Sequence, residues 1–167
     1  MLKNEFFCLL GPSVCGKTTT LRCIAGTLKP TKGEIYIDEE RVTHVPPQDR
    51  GCAMVFQFYV MFKDLDPFDQ IAFPLKMHKV PMNEIKKKVT EIAEVLGIKD
   101  ILHTPVEKLT VEQQQKIALA RALVSDAKLY LLDEPLTNLD AKIRAKMRQT
   151  LEELKKNVLY DSCIRYS

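Results

Sequence analysis

A short run near the N-terminus combines glycines, a lysine and a threonine in the order Gly11-Pro-Ser-Val-Cys-Gly16-Lys17-Thr18. It matches the pattern G-x-x-x-x-G-K-[S/T] and lies between a predicted strand and a predicted helix. Glycines allow several backbone N–H groups to point inward, and the N-terminus of the following helix adds a partial positive charge. A lysine here can reach terminal phosphates, and a threonine hydroxyl can ligate Mg²⁺. The run therefore predicts a site for the phosphates of Mg-ATP.

The predicted nucleotide contacts comprise the whole loop and the residue after it. They are Gly11, Pro12, Ser13, Val14, Cys15, Gly16, Lys17, Thr18 and Thr19.

A second pair of reactive groups ends an apolar stretch, Leu129-Tyr-Leu-Leu-Asp133-Glu134. Asp133 is predicted to help hold Mg²⁺, and Glu134 to polarise the attacking water as a general base. Acids at the end of a strand are common, so this pair indicates catalysis only in combination with the phosphate loop.

The elements that must position these groups follow from the hydrophobic pattern. Continuous apolar runs predict buried strands at 5–10, 52–56 and 128–132, and alternation predicts a hairpin at 33–42. Apolar residues at helical spacing, together with residues that typically begin or end helices, predict helices at 17–25, 81–96, 111–124 and 141–156. Residues 58–80 are mixed and aromatic-rich and receive no element. Strands alternating with helices favour an α/β fold with a mostly parallel sheet.

Composition excludes several function classes. The 167 residues suit one domain, and a net charge of +3 is too balanced to indicate a nucleic-acid partner. The basic run 86–88 is best explained as a solvated helix face.

Five cysteines without a C-x-x-C pair argue against a disulfide framework or a zinc site and favour a reducing cytosol. Whether Cys15 is a reactive thiol depends on its exposure.

No apolar run is long enough to span a bilayer, and the N-terminal apolar stretch runs directly into the glycine loop. We therefore expect no direct membrane insertion, and any membrane role to be peripheral, through a partner.

With both motifs in this order, the chain resembles the ATP-binding subunits of ABC transporters over nearly its whole length. The glycine loop resembles Walker A, and the strand ending in Asp133 and Glu134 resembles Walker B. Gln57 in MVFQ resembles the Q-loop glutamine, 113–123 the helix after the signature loop, and 135–140 (PLTNLD) the D-loop. The stretch 45–73 is most similar to sugar-importer ATPases of the maltose type.

This resemblance implies a P-loop NTPase core, at about 1–72 and 125–167, and a helical subdomain at about 73–124. It implies Lys17, Gln57 and Glu134 as catalytic residues and Thr18, Gln57 and Asp133 as metal ligands. Thr110 and Gln113 would add nucleotide contacts.

The resemblance also implies partners and a location. Two ATPase subunits would sandwich two ATP molecules and drive paired transmembrane permease subunits from the cytoplasmic face of the cell membrane. The segment 58–75 would face the permease or form the core of the helical subdomain, and both roles can apply to different residues.

The signature loop departs from the family pattern, since 109–113 reads Leu-Thr-Val-Glu-Gln where the family usually has Leu-Ser-Gly-Gly-Gln. Val111 and Glu112 place side chains where glycines let the backbone approach the γ-phosphate on the opposite subunit. Glu112 could also bring negative charge towards that polyanion. Thr110 can still donate a hydroxyl hydrogen bond, as the family's serine does.

Other departures lie in the phosphate loop and at both ends. Val14 stands where relatives mostly have glycine, which raises a question of backbone strain. All three histidines precede Asp133, so the family's switch histidine has no counterpart. The segment 157–167 does not resemble the strand expected there, and its absence would leave a sheet edge unpaired. No aromatic residue matches the adenine-stacking position, because only ten residues precede Gly11. The chain therefore reads as shortened at both ends.

Two functions remain open from the sequence. The first is an ATP-hydrolysing subunit of an ABC importer, with carbohydrates as the solute class. The alternative is a truncated or degenerate module that binds ATP without useful hydrolysis. An unrelated P-loop protein, such as a small-molecule kinase, is disfavoured by Gln57, the helix at 113–123 and the loop at 135–140.

Overall fold

The computed structural model describes residues 6–7, 9, 11–12, 14–56, 59–125, 127–133 and 162–163. Its helices are α1 (Lys17–Ala25), α2 (Pro67–Met77), α3 (Met82–Leu96) and α4 (Val111–Leu123). Its strands are β1 (Phe6–Phe7), β2 (Tyr36–Ile37), β3 (Glu40–Arg41), β4 (Cys52–Val55), β5 (Leu129–Leu132) and β6 (Ser162–Cys163). The predicted helix at 141–156 lies outside the described residues.

The main sheet is parallel and has the spatial order β1-β6-β5-β4. The second sheet is the antiparallel hairpin β2-β3, in which Tyr36 pairs with Arg41. Both arrangements confirm the predicted α/β class, the parallel sheet and the hairpin at 33–42.

The prediction that the C-terminal segment supplies no strand is wrong. Ser162 pairs with Phe6 on one side and Tyr130 on the other, so β6 lies between β1 and β5. A strand of two residues is too short to show an alternating hydrophobic pattern. Its conformation depends on backbone hydrogen bonds to the neighbouring strands β1 and β5, which the local sequence does not reveal.

Side chains of β4 and β5 alternate between two hydrophobic clusters. Ala53, Val55, Tyr130 and Leu132 pack in the larger cluster with α2, α3 and α4. Their neighbours in the strands, Cys52, Met54, Leu129 and Leu131, pack with α1. The strands are therefore covered on both faces, as continuous apolar runs require in a parallel sheet.

Helix α2 falls in the region that received no predicted element. Asp66 caps its N-terminus by accepting from Asp69 N at 2.7 Å, and Pro67 occupies the first turn. Pro74 lies inside the helix and interrupts the sequence signal, but Ile71 is fully buried and packing stabilises the helix. The expected boundary between core and helical subdomain, at residue 72, falls within α2, and that division stays a prediction.

The other helices follow the predicted bounds closely. Helix α1 ends at Gly26, whose φ is +83°, and α3 ends at Gly97, whose φ is +63°. Thr110 caps α4 in a capping box with Gln113, as the spacing T-x-x-Q predicts.

Candidate nucleotide-binding site

The phosphate loop leads directly into the N-terminus of α1. Gly16 is the N-cap residue in the left-handed region, with φ +97°, and among the described residues no side chain caps this helix end. The first turn of α1 contains no acidic residue. A helix N-terminus whose first turn has no acidic residue of its own suits a bound phosphate.

Lys17 is buried and folds against its own loop. Its ammonium donates to the carbonyl oxygen of Gly11 and, at 2.5 Å, to that of Pro12, and its Nζ lies 3.1 Å from Cys15 Sγ. These contacts hold a positive charge among the loop residues. A Cβ added at Gly11 would lie 2.7 Å from Cys15 Sγ, so a larger residue there would require the Cys15 side chain to shift.

Thr18 and Asp133 connect the loop to the end of β5. The Thr18 hydroxyl donates to Asp133 Oδ1 at 3.0 Å, and the Asp133 N–H donates to the Val55 carbonyl at 2.9 Å. Asp133 is 1% exposed. Hydroxyl and carboxylate oxygens side by side are ligands that Mg²⁺ prefers, so these residues fit the expected ion.

The structure describes three further predicted nucleotide contacts, Thr19, Thr110 and Gln113. Thr19 is exposed on the first turn of α1. Thr110 and Gln113 lie at the N-terminus of α4, where each accepts a hydrogen bond from the backbone N–H of the other, Thr110 at 3.2 Å and Gln113 at 2.8 Å. Ser13, Gln57 and Glu134 lie outside the described residues.

The two departures in the signature loop differ in their surroundings. Val111 is 56% exposed, so its side chain projects from the start of α4. The Glu112 carboxylate forms an ion pair of 2.7 Å with Lys116 one turn further along the helix. The charge that was expected to face a polyanion is therefore paired within its own helix.

Val14 is strained. Its φ is +66° and its side chain is fully exposed. A β-branched residue in the left-handed region costs energy that glycine does not. The backbone strain that the sequence suggested at Val14 is therefore present.

Arg50 holds α1 from its C-terminal end, a role that was not predicted from the sequence. The buried guanidinium donates to the Cys23 and Ile24 carbonyls at 2.9 Å and to those of Thr43 and Val45. Carbonyl groups in the last turn of a helix attract a cation. The sequence signal that could have indicated this role is an arginine two residues before a predicted buried strand.

Arg121 ties α4 to the segment after β4. Its Nη2 donates to the Val60 carbonyl at 3.0 Å, and the guanidinium lies 5.4 Å from the centre of the Phe62 ring. Burial lowers the pKa of Arg121, and its buried Nη1 finds no hydrogen-bond partner among the described residues.

The segment 59–75 contains both buried and exposed apolar side chains. Ile71 and Ala72 are fully buried in the helical core, whereas Val60, Phe62 and Phe73 are exposed. Phe62 and Phe73 line an open cavity of about 400 Å³ together with Met77, His78 and Arg121. The structure thus separates residues of this segment that pack in the core from residues that are exposed at the surface.

These features define a P-loop nucleotide-binding protein: a parallel sheet, a glycine loop before α1, and an acid directly after β5 that contacts the first turn of α1. Residues 1–137 match the family model described as ABC transporter, and the chain belongs to that family. The described residues include no helix long and apolar enough to cross a membrane.

Individual relatives are similar over most of this chain. The trehalose/maltose import ATP-binding protein MalK of Thermococcus litoralis is 49% identical over 161 residues, which cover 93% of this chain. The oligosaccharides import ATP-binding protein MsmX of Bacillus subtilis is 49% identical over 90% of it. The Fe(3+) ions import ATP-binding protein FbpC of Vibrio cholerae is 45% identical over 91%. The matched part spans 43%, 41% and 43% of these relatives, respectively.

Proposed function

We propose that this chain is the ATP-binding and ATP-hydrolysing subunit of an ABC importer that carries carbohydrates. The observation that carries the proposal is the meeting of three groups at the phosphate loop. Lys17 places an ammonium there, and the Thr18 hydroxyl lies 3.0 Å from the Asp133 carboxylate. A positive charge within the loop, and two metal-binding oxygens where the loop enters α1, match what phosphoryl transfer from Mg-ATP requires.

Each residue then has a distinct task. Backbone N–H groups between Gly11 and Thr19, other than at Pro12, which has none, cradle the phosphates. Lys17 neutralises charge on the terminal phosphates. Thr18, Asp133 and Gln57 would hold Mg²⁺, which supplies charge stabilisation at the transferred phosphoryl group when bound. Glu134 would accept a proton from the attacking water.

The partners follow from the same family pattern. A second ATPase subunit would complete each site by contributing Thr110 and Gln113 to the ATP held by the first. The Thr110 oxygen already accepts from the Gln113 N–H, so the Thr110 hydroxyl proton is available for a phosphate oxygen. Permease subunits would contact the exposed side chains Val60, Phe62 and Phe73, which places the chain on the cytoplasmic face of the membrane.

Carbohydrates are the proposed solute because two relatives at 49% identity are named for sugar import. The relative named for Fe(3+) import is nearly as similar, so the ATPase domain alone does not select the solute.

The second candidate function is ATP binding without useful hydrolysis. It is favoured by the exposed Val111 at the start of α4, where the side chain would meet the γ-phosphate face of a second subunit. Bulk at that point opposes close approach of the backbone.

Steady-state ATP hydrolysis by the purified chain separates the two functions. Lys17→Ala and Glu134→Gln should each abolish turnover, whereas Lys86→Ala, at an exposed position on α3, should leave it unchanged. Turnover in the parent that Glu134→Gln does not remove would contradict the catalytic assignment.

If the parent shows no turnover, equilibrium binding of Mg-ATP decides. Binding that Lys17→Ala weakens supports the second function, and no binding at millimolar ATP would refute both.

A further inference from the structure

The first turn of α4 contains a charge pair that the motif alone does not predict. Glu112 Oε1 lies 2.7 Å from Lys116 Nζ, with the glutamate one helical turn before the lysine. This order is the favourable one for an i,i+4 pair, because it also suits the helix dipole. The lysine side chain is only 14% exposed and the glutamate side chain 32%.

The neighbouring residues of this turn are also fixed. The reciprocal hydrogen bonds between Thr110 and Gln113 close a capping box around Val111 and Glu112. The backbone of the signature loop is therefore already helical from Val111 onward. The direction taken by the Glu112 carboxylate then depends on its own side-chain torsions and on Lys116.

We propose that Lys116 is a positioning residue that makes the Val111-Glu112 signature compatible with ATP bound on a second subunit. The inference rests on the proposed function, because it requires the start of α4 to face the triphosphate of the partner. Lys116 does not touch the nucleotide. It holds the Glu112 carboxylate along the helix and compensates its charge.

The physical reason is repulsion between like charges in a partly desolvated interface. A carboxylate that is free to approach the triphosphate raises the energy of the closed pair of subunits. A carboxylate paired with an ammonium presents little net charge and is held away from the helix end. Because Lys116 is mostly shielded from solvent, its ammonium has few other positions to adopt.

The test is ATP-dependent dimerisation of the full chain, measured by sedimentation in a Glu134→Gln background that slows ATP consumption. Lys116→Met keeps the side-chain length and removes the charge. We expect it to weaken ATP-dependent dimerisation about three- to tenfold at low salt and less at high salt. Lys116→Arg should restore dimerisation, and adding Glu112→Gln to Lys116→Met should remove most of the defect.

The matched control is Lys87→Met on α3, where Lys87 lies 4.0 Å from Glu91 in another i,i+4 pair. This variant should dimerise like the parent. A purely structural role for Lys116 would lower thermal stability without ATP and would not be corrected by Glu112→Gln.

The possible outcomes distinguish failure of the Lys116 role from failure of the proposed function. Parent protein that binds ATP yet does not dimerise would overturn both. Parent protein that dimerises with ATP while Lys116→Met dimerises equally well would overturn the inference alone. A defect of Lys116→Met that persists with Glu112→Gln would also overturn it.

Discussion

The hydroxyl of Thr18 and the carboxylate of Asp133 share a hydrogen bond of 3.0 Å, although 115 residues separate them in the chain. Thr18 belongs to the first turn of α1, and Asp133 follows β5 directly. The bond therefore connects the loop predicted to hold phosphates with the acid predicted to hold the metal ion.

Removing the Thr18 hydroxyl should impair the predicted binding of Mg²⁺ while leaving the phosphate loop in place. In Thr18→Val the buried Asp133 carboxylate loses a donor, so we expect destabilisation of about 1–3 kcal/mol. Mg²⁺ should no longer strengthen ATP binding, because one predicted ligand is gone. Calorimetric titration of ATP with and without Mg²⁺ measures the effect. Thr18→Ser, which keeps the hydroxyl, is the control, and an unchanged Mg²⁺ dependence in Thr18→Val would contradict the ligand assignment.

Gly26 should tolerate no side chain. A Cβ at this position would lie 2.5 Å from Arg50 Nε, and φ is +83°. Gly26→Ala therefore combines left-handed strain with displacement of the buried guanidinium, and we expect it to destabilise the fold by about 2–5 kcal/mol. Urea unfolding followed by circular dichroism measures the change.

Gly33→Ala is the matched control for Gly26→Ala. Gly33 has nearly the same φ, +84°, but a Cβ added there would have no atom of the described residues within 4 Å. Backbone strain alone should cost about 1 kcal/mol at this position. Equal losses at the two glycines would show that Arg50 adapts without cost.

Cys15 should react with alkylating reagents faster than Cys52 near neutral pH. Burial raises the pKa of the Cys52 thiol, so its reactive thiolate is scarce until the pH exceeds the usual thiol range. Cys15 is exposed on the phosphate loop. Peptide mapping by mass spectrometry at several pH values gives both rates.

The sign of the Cys52 shift also predicts a stability trend. A folded-state pKa above the unfolded value stabilises the protein below the unfolded pKa, and this contribution is lost as pH rises through the folded value. Cys52→Ser should therefore have a shallower decline of stability above about pH 8.5 than the parent. Faster labelling of Cys52 than of Cys15 at neutral pH would contradict the structural basis of both expectations.

Replacing Val14 by glycine should stabilise the protein. The left-handed conformation of Val14 costs about 1–2 kcal/mol, and the greater freedom of glycine in the unfolded chain offsets part of the gain. A net increase of about 0.5–1 kcal/mol in unfolding free energy is expected from thermal or urea unfolding. Val14→Ala, which keeps a Cβ, should gain less. A loss of stability in Val14→Gly would mean that the valine side chain makes contacts that outweigh the strain.

The sequence predicted local structure correctly wherever residues close together in the chain cause that structure. Gly26 and Gly97 end their helices at the predicted positions because both adopt left-handed conformations that glycine allows. The spacing of Thr110 and Gln113 predicted the capping box, because each side chain can accept a hydrogen bond from the backbone N–H of the other residue. Motif order in the sequence also determined the family.

Local signals failed where packing decides. Pro74 argues against a helix, yet α2 continues through it because Ile71 and Leu75 are buried in the larger cluster. Residues 162–163 show no strand pattern, yet β6 pairs with two neighbouring strands. In each case the stabilising contacts come from residues distant in sequence.

The amino-acid sequence by itself determined the phosphate loop, the acid at the end of β5 and the alternation of strands and helices, because each depends on near neighbours in the chain. Only the tertiary structure decided that Asp133 meets Thr18, that Arg50 holds the far end of α1, and which side chains between 59 and 75 stay exposed. The pairing of Glu112 with Lys116 also needed coordinates, although both lie on one helix, because a spacing of four permits an ion pair without requiring it.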